Sequence, residues 1–137
     1  MAICRYFEGL QPEPPLFGVE PLEQATIEMW NRRAEINLLL PGAQAFRNLT
    51  GFFKDREKVS KEWGAISLEA TADALTRFND VLADRQYLAG DAFSIADITL
   101  GVGLVFLKQI KLDLPFDAPN VARYLEQLGG RPSFQEG

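Results

Sequence analysis

At 137 residues, with 47% apolar and 24% charged side chains, the chain is sized for one packed domain and has the composition of neither a disordered nor a fibrous protein. Its formal net charge of -5 opposes non-specific binding to a phosphate backbone, so no nucleic-acid partner is expected. It contains no histidine, which removes His-dependent nucleophiles and the commonest zinc ligand, and its one cysteine, Cys4, can close no internal disulfide.

Ile3, Phe7 and Leu10 recur at i, i+4 and i+7, which predicts an amphipathic helix over residues 2–10. A helix this short is unstable alone, so its apolar face needs a covering surface. Cys4 within it reads as a small apolar side chain rather than a nucleophile. The segment lacks the long apolar core and cleavage site of a secretory signal. The longest apolar run, residues 100–107, falls well short of the roughly 20 residues that span a bilayer. A cytoplasmic protein without a membrane partner is the expectation. Residues 11–18, with Pro12, Pro14 and Pro15, read as a stiff extended connector, because proline removes backbone donors and disfavours helix just before itself.

Glu20-Pro21 opens a long helix, with proline in its first turn. Leu22, Ala25, Met29, Arg32, Ile36, Leu39, Ala43 and Phe46 follow a heptad spacing and predict a buried seam, widened by Ile27, Trp30, Ala34 and Asn37. Arg32 breaks that seam, and a buried charge must be paired. Three readings stand: an ion pair with Glu28 or Glu35, a seam facing another subunit, or a polar pocket in which Arg32 or Arg33 holds an anion. Pro41-Gly42 predicts a kink.

Residues 48–59 are polar and broken by Gly51, which predicts a loop or a short irregular helix. Trp30, Phe46, Phe52, Phe53 and Trp63 gather around the kinked end and that loop; each reads first as core, with an apolar ligand wall as the alternative. A second long helix starts near Ser60, carries Leu68, Thr71, Leu75, Phe78 and Leu82 on one face, and stops before Gly90.

FSIADITLG, residues 93–101, reads as a helix start. Ser94 is the N-cap, Asp97 closes a capping box, and Phe93 with Ile98 forms a hydrophobic staple. Asp97 is therefore a cap rather than a general base. Over residues 94–109, Ile95, Ile98, Leu100, Val102, Leu104, Val105, Phe106 and Leu107 surround the axis, which predicts burial on every side. The glycines at 101 and 103 lie inside this helix and follow no strand, so they are not a dinucleotide loop. Finally, residues 117–120 cap a short helix with Val121, Tyr124, Leu125 and Leu128 inward, ended by Gly129-Gly130. No metal-spaced ligand cluster is present, and no segment alternates at period two. The predicted fold class is all-α, a helical bundle around one buried central helix.

These motifs resemble the glutathione S-transferase family over nearly the whole chain. LADRQYLAGDAFSIADITLG is similar to the signature that starts the buried central helix of that family's C-terminal domain. AICRYFEGLQPEPPLFG resembles the last helix of its thioredoxin-like domain and the interdomain linker. EMWNRRAEINLLLPGAQAFRNL is similar to the long kinked helix of bacterial members, and APNVARYLEQLGGRPSF to the closing segment.

The resemblance implies that residues 1–18 are a remnant helix and linker of a missing thioredoxin-like domain, and that residues 19–137 are the all-α C-terminal domain. It implies a role as the hydrophobic-electrophile wall and dimer interface, with Phe46 and Phe53 on the electrophile side and Arg33 and Asn37 toward the interdomain cleft. Ser94 and Asp97, with Phe93 and Ile98, carry over as folding residues. Glutathione would be the family cosubstrate, but the catalytic Ser, Tyr or Cys and the glutathione-holding residues belong to the domain this chain lacks. No catalytic residue and no cofactor are therefore expected in the chain itself, which should be inactive alone. Its implied partner is a second copy or a complementing thioredoxin-like domain. The alternatives are a stand-alone protein-interaction module and one half of an enzyme completed by another chain.

Overall fold

The computed structural model describes residues 1–135, and among these there is no β-strand. In chain order the elements are α1 (Ala2–Leu10), α2 (Pro21–Ala34), a π-helical turn (Glu35–Leu39), α3 (Leu40–Thr50), α4 (Lys61–Val81), a 3-10 turn (Leu82–Asp84), α5 (Ile95–Gln109), α6 (Pro119–Gly129) and α7 (Pro132–Gln135). The α2–π–α3 unit and α4 pack side by side, and α5 lies against both α2 and the π turn.

α2 begins as its sequence dictates. Pro21 occupies the first turn, and the Glu23 carboxylate accepts the N–H groups of Val19 (2.9 Å) and Glu20 (3.4 Å) in a capping box. The irregularity predicted at Pro41-Gly42 lies one turn upstream. Leu40 N–H bonds to the carbonyl of Glu35, five residues back, so the widened turn ends just where Pro41 has no N–H to give. Gly42 is required for a different reason: a Cβ there would collide with the Leu107 side chain, so α3 and α5 meet at a point without one.

The predicted seam of this long helix is not the buried one. Leu22 (80% exposed), Met29, Arg32 and Ile36 face outward. The core face is the neighbouring stripe, Ile27, Trp30 and Ala34, continued by Asn31, Leu38, Ala45 and Asn48, while Asn37 of that stripe is exposed. Both stripes are apolar enough to fold inward, and the choice is made by the partner helix. Asn31 accepts a hydrogen bond from the Thr99 hydroxyl of α5 at 2.7 Å, which brings a polar residue to the core side. Arg32, on the outer face, pairs with Glu28 at 3.2 Å and with Glu35.

α3 ends on Gly51, whose φ of 63° lies in the left-handed region where a side chain is costly. Residues 48–50 are thus helical, and the predicted loop starts at Gly51. Asn48 then accepts the N–H of Ser60 at 2.8 Å, and Ser60 accepts that of Trp63 at 3.2 Å, starting α4. Thr71, Leu75, Phe78 and Leu82 are buried and Leu68 half-buried, joined by Ser67 and Ala74.

α5 forms the centre of the core through Ile95, Leu100, Leu104 and Leu107, but it is not enclosed on every side. Val102 is 53% exposed and Val105 39% exposed. That strip of α5 is thus only partly covered by the described chain. The start of α6 also differs from expectation. Ala118, not Asp117, is its N-cap and offers no side-chain acceptor. The cap comes from α4: Asn79 accepts the Asn120 N–H at 3.0 Å and returns its carbonyl to the Asn120 amide at 3.0 Å. A distant residue thus satisfies an orphan donor that the local sequence leaves open.

Candidate functional site

The residues singled out by sequence fall in three places. The first is the start of α5. The capping box between Ser94 and Asp97 closes, Asp97 Oδ2 accepting both the Ser94 N–H (2.9 Å) and the Ser94 hydroxyl (3.0 Å). The other oxygen, Oδ1, accepts the Leu88 N–H at 2.7 Å and the Tyr124 hydroxyl at 2.7 Å. Asp97 is fully buried, and each of its oxygens is doubly occupied. Burial pushes the Tyr124 hydroxyl far above the usual tyrosine range, and the Asp97 charge adds to the effect, so the phenol keeps its proton and stays a donor. The cluster therefore ties the 85–90 turn, α5 and α6 together and leaves no lone pair for chemistry on a substrate. Phe93 and Ile98 both pack on the core; the Phe93 ring stands 5.7 Å from that of Tyr87, with the Arg131 guanidinium 3.7 Å above it.

The second place is the end of α3. Gly51 turns the chain so that Phe52 stands 5.6 Å from Phe46 and 4.8 Å from Phe53, centroid to centroid. Arg47 and Arg56 lie over the Phe53 ring at 5.0 and 5.7 Å, and Arg47 pairs with Glu57 at 2.9 Å. Phe46 and Phe53 thus share one aromatic cluster through Phe52, which is itself 66% exposed.

Arg33 and Asn37 stand elsewhere, about 14–20 Å back from Phe46 along the helix at about 1.5 Å per residue. They line a groove of about 440 Å³ between the α2–π segment and α4, with Trp30, Arg77 and Phe78. No residue of α1 or of the connector lines it. The four nominated binding residues therefore form two separate places rather than one cleft.

The apolar face of α1 adds a surface. Arg5 pairs with Glu28 of α2 at 2.9 Å and lies 4.6 Å over the Phe17 ring, while Glu8 accepts the Phe17 N–H at 2.8 Å. Leu16 accepts the Ile95 N–H at 3.0 Å, which seats the connector on the start of α5. These contacts hold α1 by its polar side and leave Ile3, Phe7 and Leu10 at least 60% exposed. Beside them runs a groove of about 740 Å³ whose apolar lining includes Cys4, Phe7, Leu10, Leu16, Ile95 and Ile98, and which Glu8, Gln11 and Glu13 also line. Val102, one turn beyond Ile98, extends the apolar strip along α5.

Sequence reasoning missed Leu88 and Tyr124 as partners of Asp97. Tyr124 carried a signal, since a tyrosine on an inward face must find a hydrogen-bond partner for its hydroxyl. Leu88 carried none, because its contribution is a backbone N–H. Among the described residues no group of three His, Cys, Asp or Glu is placed to hold a metal ion, and no helix is long and apolar enough to cross a membrane.

A family profile described as glutathione S-transferase, C-terminal domain, matches residues 30–127. Glutathione S-transferase 2 of Saccharomyces cerevisiae is 36% identical over 98% of this chain and 59% of its own length. The crystal structure of Gtt2 from Saccharomyces cerevisiae superposes with a TM-score of 0.91 at 35% identity, covering 98% of this chain and 66% of that one. Elongation factor 1-gamma 2 of Oryza sativa is 28% identical over 98% of this chain and 32% of its own. The chain thus spans about three fifths of the yeast protein and about a third of the rice one. On this sequence match and this superposition, the chain belongs to the glutathione S-transferase family and has the fold of its all-α C-terminal domain.

Proposed function

We propose that this chain is the helical half of a glutathione S-transferase-like enzyme, inactive alone and completed by a thioredoxin-like domain that brings glutathione and the activating residue. The observation that carries this reading is the uncovered face of Ile3, Phe7 and Leu10, continued by Ile98 and Val102 on α5. A helix with a covered polar side and an exposed apolar side needs a partner, and α1 holds that face beside the N-terminal turn of α5. Residues 1–18 are then the last helix and linker of the completing domain, and residues 19–137 the helical domain itself. The Phe46–Phe52–Phe53 cluster is the electrophile side. Leu22, Met29, Ile36, Leu40, Trp63 and Ile66, exposed on α2, the π turn, α3 and α4, supply the surface for a second copy. A cytoplasmic location belongs to the same reading.

The test is direct. Purified chain given glutathione and 1-chloro-2,4-dinitrobenzene should show no rate above buffer, because no group in it is placed to stabilise a thiolate; clear turnover would overturn the proposal.

The similarity to elongation factor 1-gamma proteins favours a second reading, a protein-interaction module that uses the same α1–α5 face without glutathione. Under that reading a thioredoxin-like domain has no affinity for the chain.

A further inference from the structure

We propose that the end of the bundle where α3 gives way to α4 is a docking surface for an anionic membrane. The chain has five lysines: Lys54, Lys58, Lys61, Lys108 and Lys111. α5 runs alongside α2 and α3 in the same direction, since Thr99 meets Asn31, Gly103 lies beside Leu39, and Leu107 lies against Gly42. Lys108 and Lys111 follow the last of these meeting points, on the side where α3 ends. Lys54 and Lys58 occupy the turn after α3, and Lys61 opens α4. All five lysines thus gather toward one end of the bundle. Two acids of the turn are already engaged, Glu57 with Arg47 at 2.9 Å and Asp55 with Arg56 at 3.3 Å. Among the described residues none of the five lysines pairs with a carboxylate. Residues 47–62 hold five basic and three acidic side chains, a net charge of +2 that leaves -7 for the rest of a chain of net -5.

Exposed apolar side chains stand among these charges. Phe52, 66% exposed, and Val59, 42% exposed, share the turn with Lys54 and Lys58. The turn is held in place: Asn48 accepts the Ser60 N–H at 2.8 Å, and the Thr50 hydroxyl accepts the Phe52 N–H at 3.1 Å. Docking therefore requires little further ordering of the chain. Uncompensated lysines beside exposed apolar groups suit a bilayer interface, where ammoniums meet anionic headgroups while Phe52 and Val59 enter the headgroup boundary. A nucleic-acid duplex would use the lysines but leave both apolar side chains in water. The negative charge elsewhere does not cancel the attraction, because charges beyond a Debye length of about 10 Å are screened. Such a contact lies on the bilayer and needs no spanning helix. With the Phe46–Phe52–Phe53 cluster as the electrophile side, docking sets that side against the phase in which apolar electrophiles concentrate. This consequence rests on the proposed function, whereas the docking itself does not.

The experiment sediments the full chain with vesicles of phosphatidylcholine alone and of phosphatidylcholine with phosphatidylserine, without glutathione, so that its failure would leave the proposed function standing. Binding should be at least about tenfold tighter with phosphatidylserine and should weaken as salt is raised. Lys54→Glu combined with Lys58→Glu should abolish that preference. Arg77→Glu, about 24 Å along α4 from Lys61 at about 1.5 Å per residue, reverses one charge outside the surface and should leave it unchanged. Phe52→Ser and Val59→Ser should each weaken binding at least about threefold. All these residues are exposed, and circular dichroism checks that each variant is folded. Equal binding to both vesicles, no binding to either, the same loss in Arg77→Glu as in the lysine variant, or full binding in both serine variants would each overturn the proposal. So would tighter binding to poly-L-glutamate or to duplex DNA than to the vesicles, since an acidic protein or a nucleic acid would then be the partner.

Discussion

The Tyr124 hydroxyl of α6 donates to Oδ1 of Asp97 in α5 at 2.7 Å, and the same oxygen takes the Leu88 N–H at 2.7 Å. This joins three stretches of chain at one buried carboxylate, and it makes a specific stability prediction. Tyr124→Phe removes one donor and should cost about 1–3 kcal/mol in urea unfolding. Asp97→Ala orphans two backbone donors and two hydroxyls and should cost more, about 3–5 kcal/mol.

The same pair predicts a pH dependence. The folded-state pKa of Tyr124 is raised above its ordinary value of 10.0, so the folded chain holds a proton that the unfolded chain releases. Its stabilising contribution is complete below pH about 10 and declines as pH rises further. Unfolding free energy measured from pH 8 to 11 should fall beyond that point, and the fall should be shallower in Tyr124→Phe.

The two stripes of the long helix give opposite expectations. Ile36→Asp, on the outward seam, should leave the stability of the isolated chain within about 0.5 kcal/mol. Leu38→Asp, two residues on, buries an unpaired charge in the core and should prevent folding. Circular dichroism with urea titration checks both, and the reverse order would restore the heptad seam as the core face.

Gly42→Ala places a methyl against Leu107, where α3 and α5 touch. Overpacking of this kind should cost about 1–3 kcal/mol even though alanine favours helix. A stability gain would mean that the two helices have room to separate.

How far the sequence reached follows from the kind of force involved. Helix positions and the all-α class follow from apolar spacing and from local stops such as Gly51, and the Ser94–Asp97 box is local chemistry. The inward stripe of α2 was not legible, because two adjacent apolar rows compete and α5 decides between them. Spacing also could not show that Val102 lies open, since a helix apolar all round looks the same whether this chain or another domain covers it. The Asn79–Asn120 cap and the Arg33–Arg77 groove join residues far apart in sequence, and no periodicity connects them. The family resemblance points to Phe46 and Phe53, whereas Phe52, which links them, is marked in sequence only as one of the aromatics around the loop.

In the proposed function the apolar face of α1 and α5 receives a thioredoxin-like domain. The most direct measurement is a chemical-shift titration of the labelled chain with the thioredoxin-like domain of the yeast relative excised without its last helix, the element that α1 would supply. Saturable shifts confined to Ile3, Phe7, Leu10, Ile98 and Val102 are expected, with loss of binding in Phe7→Asp while folding stays intact. No shift at these residues, or saturable binding that Phe7→Asp leaves unchanged, would contradict it.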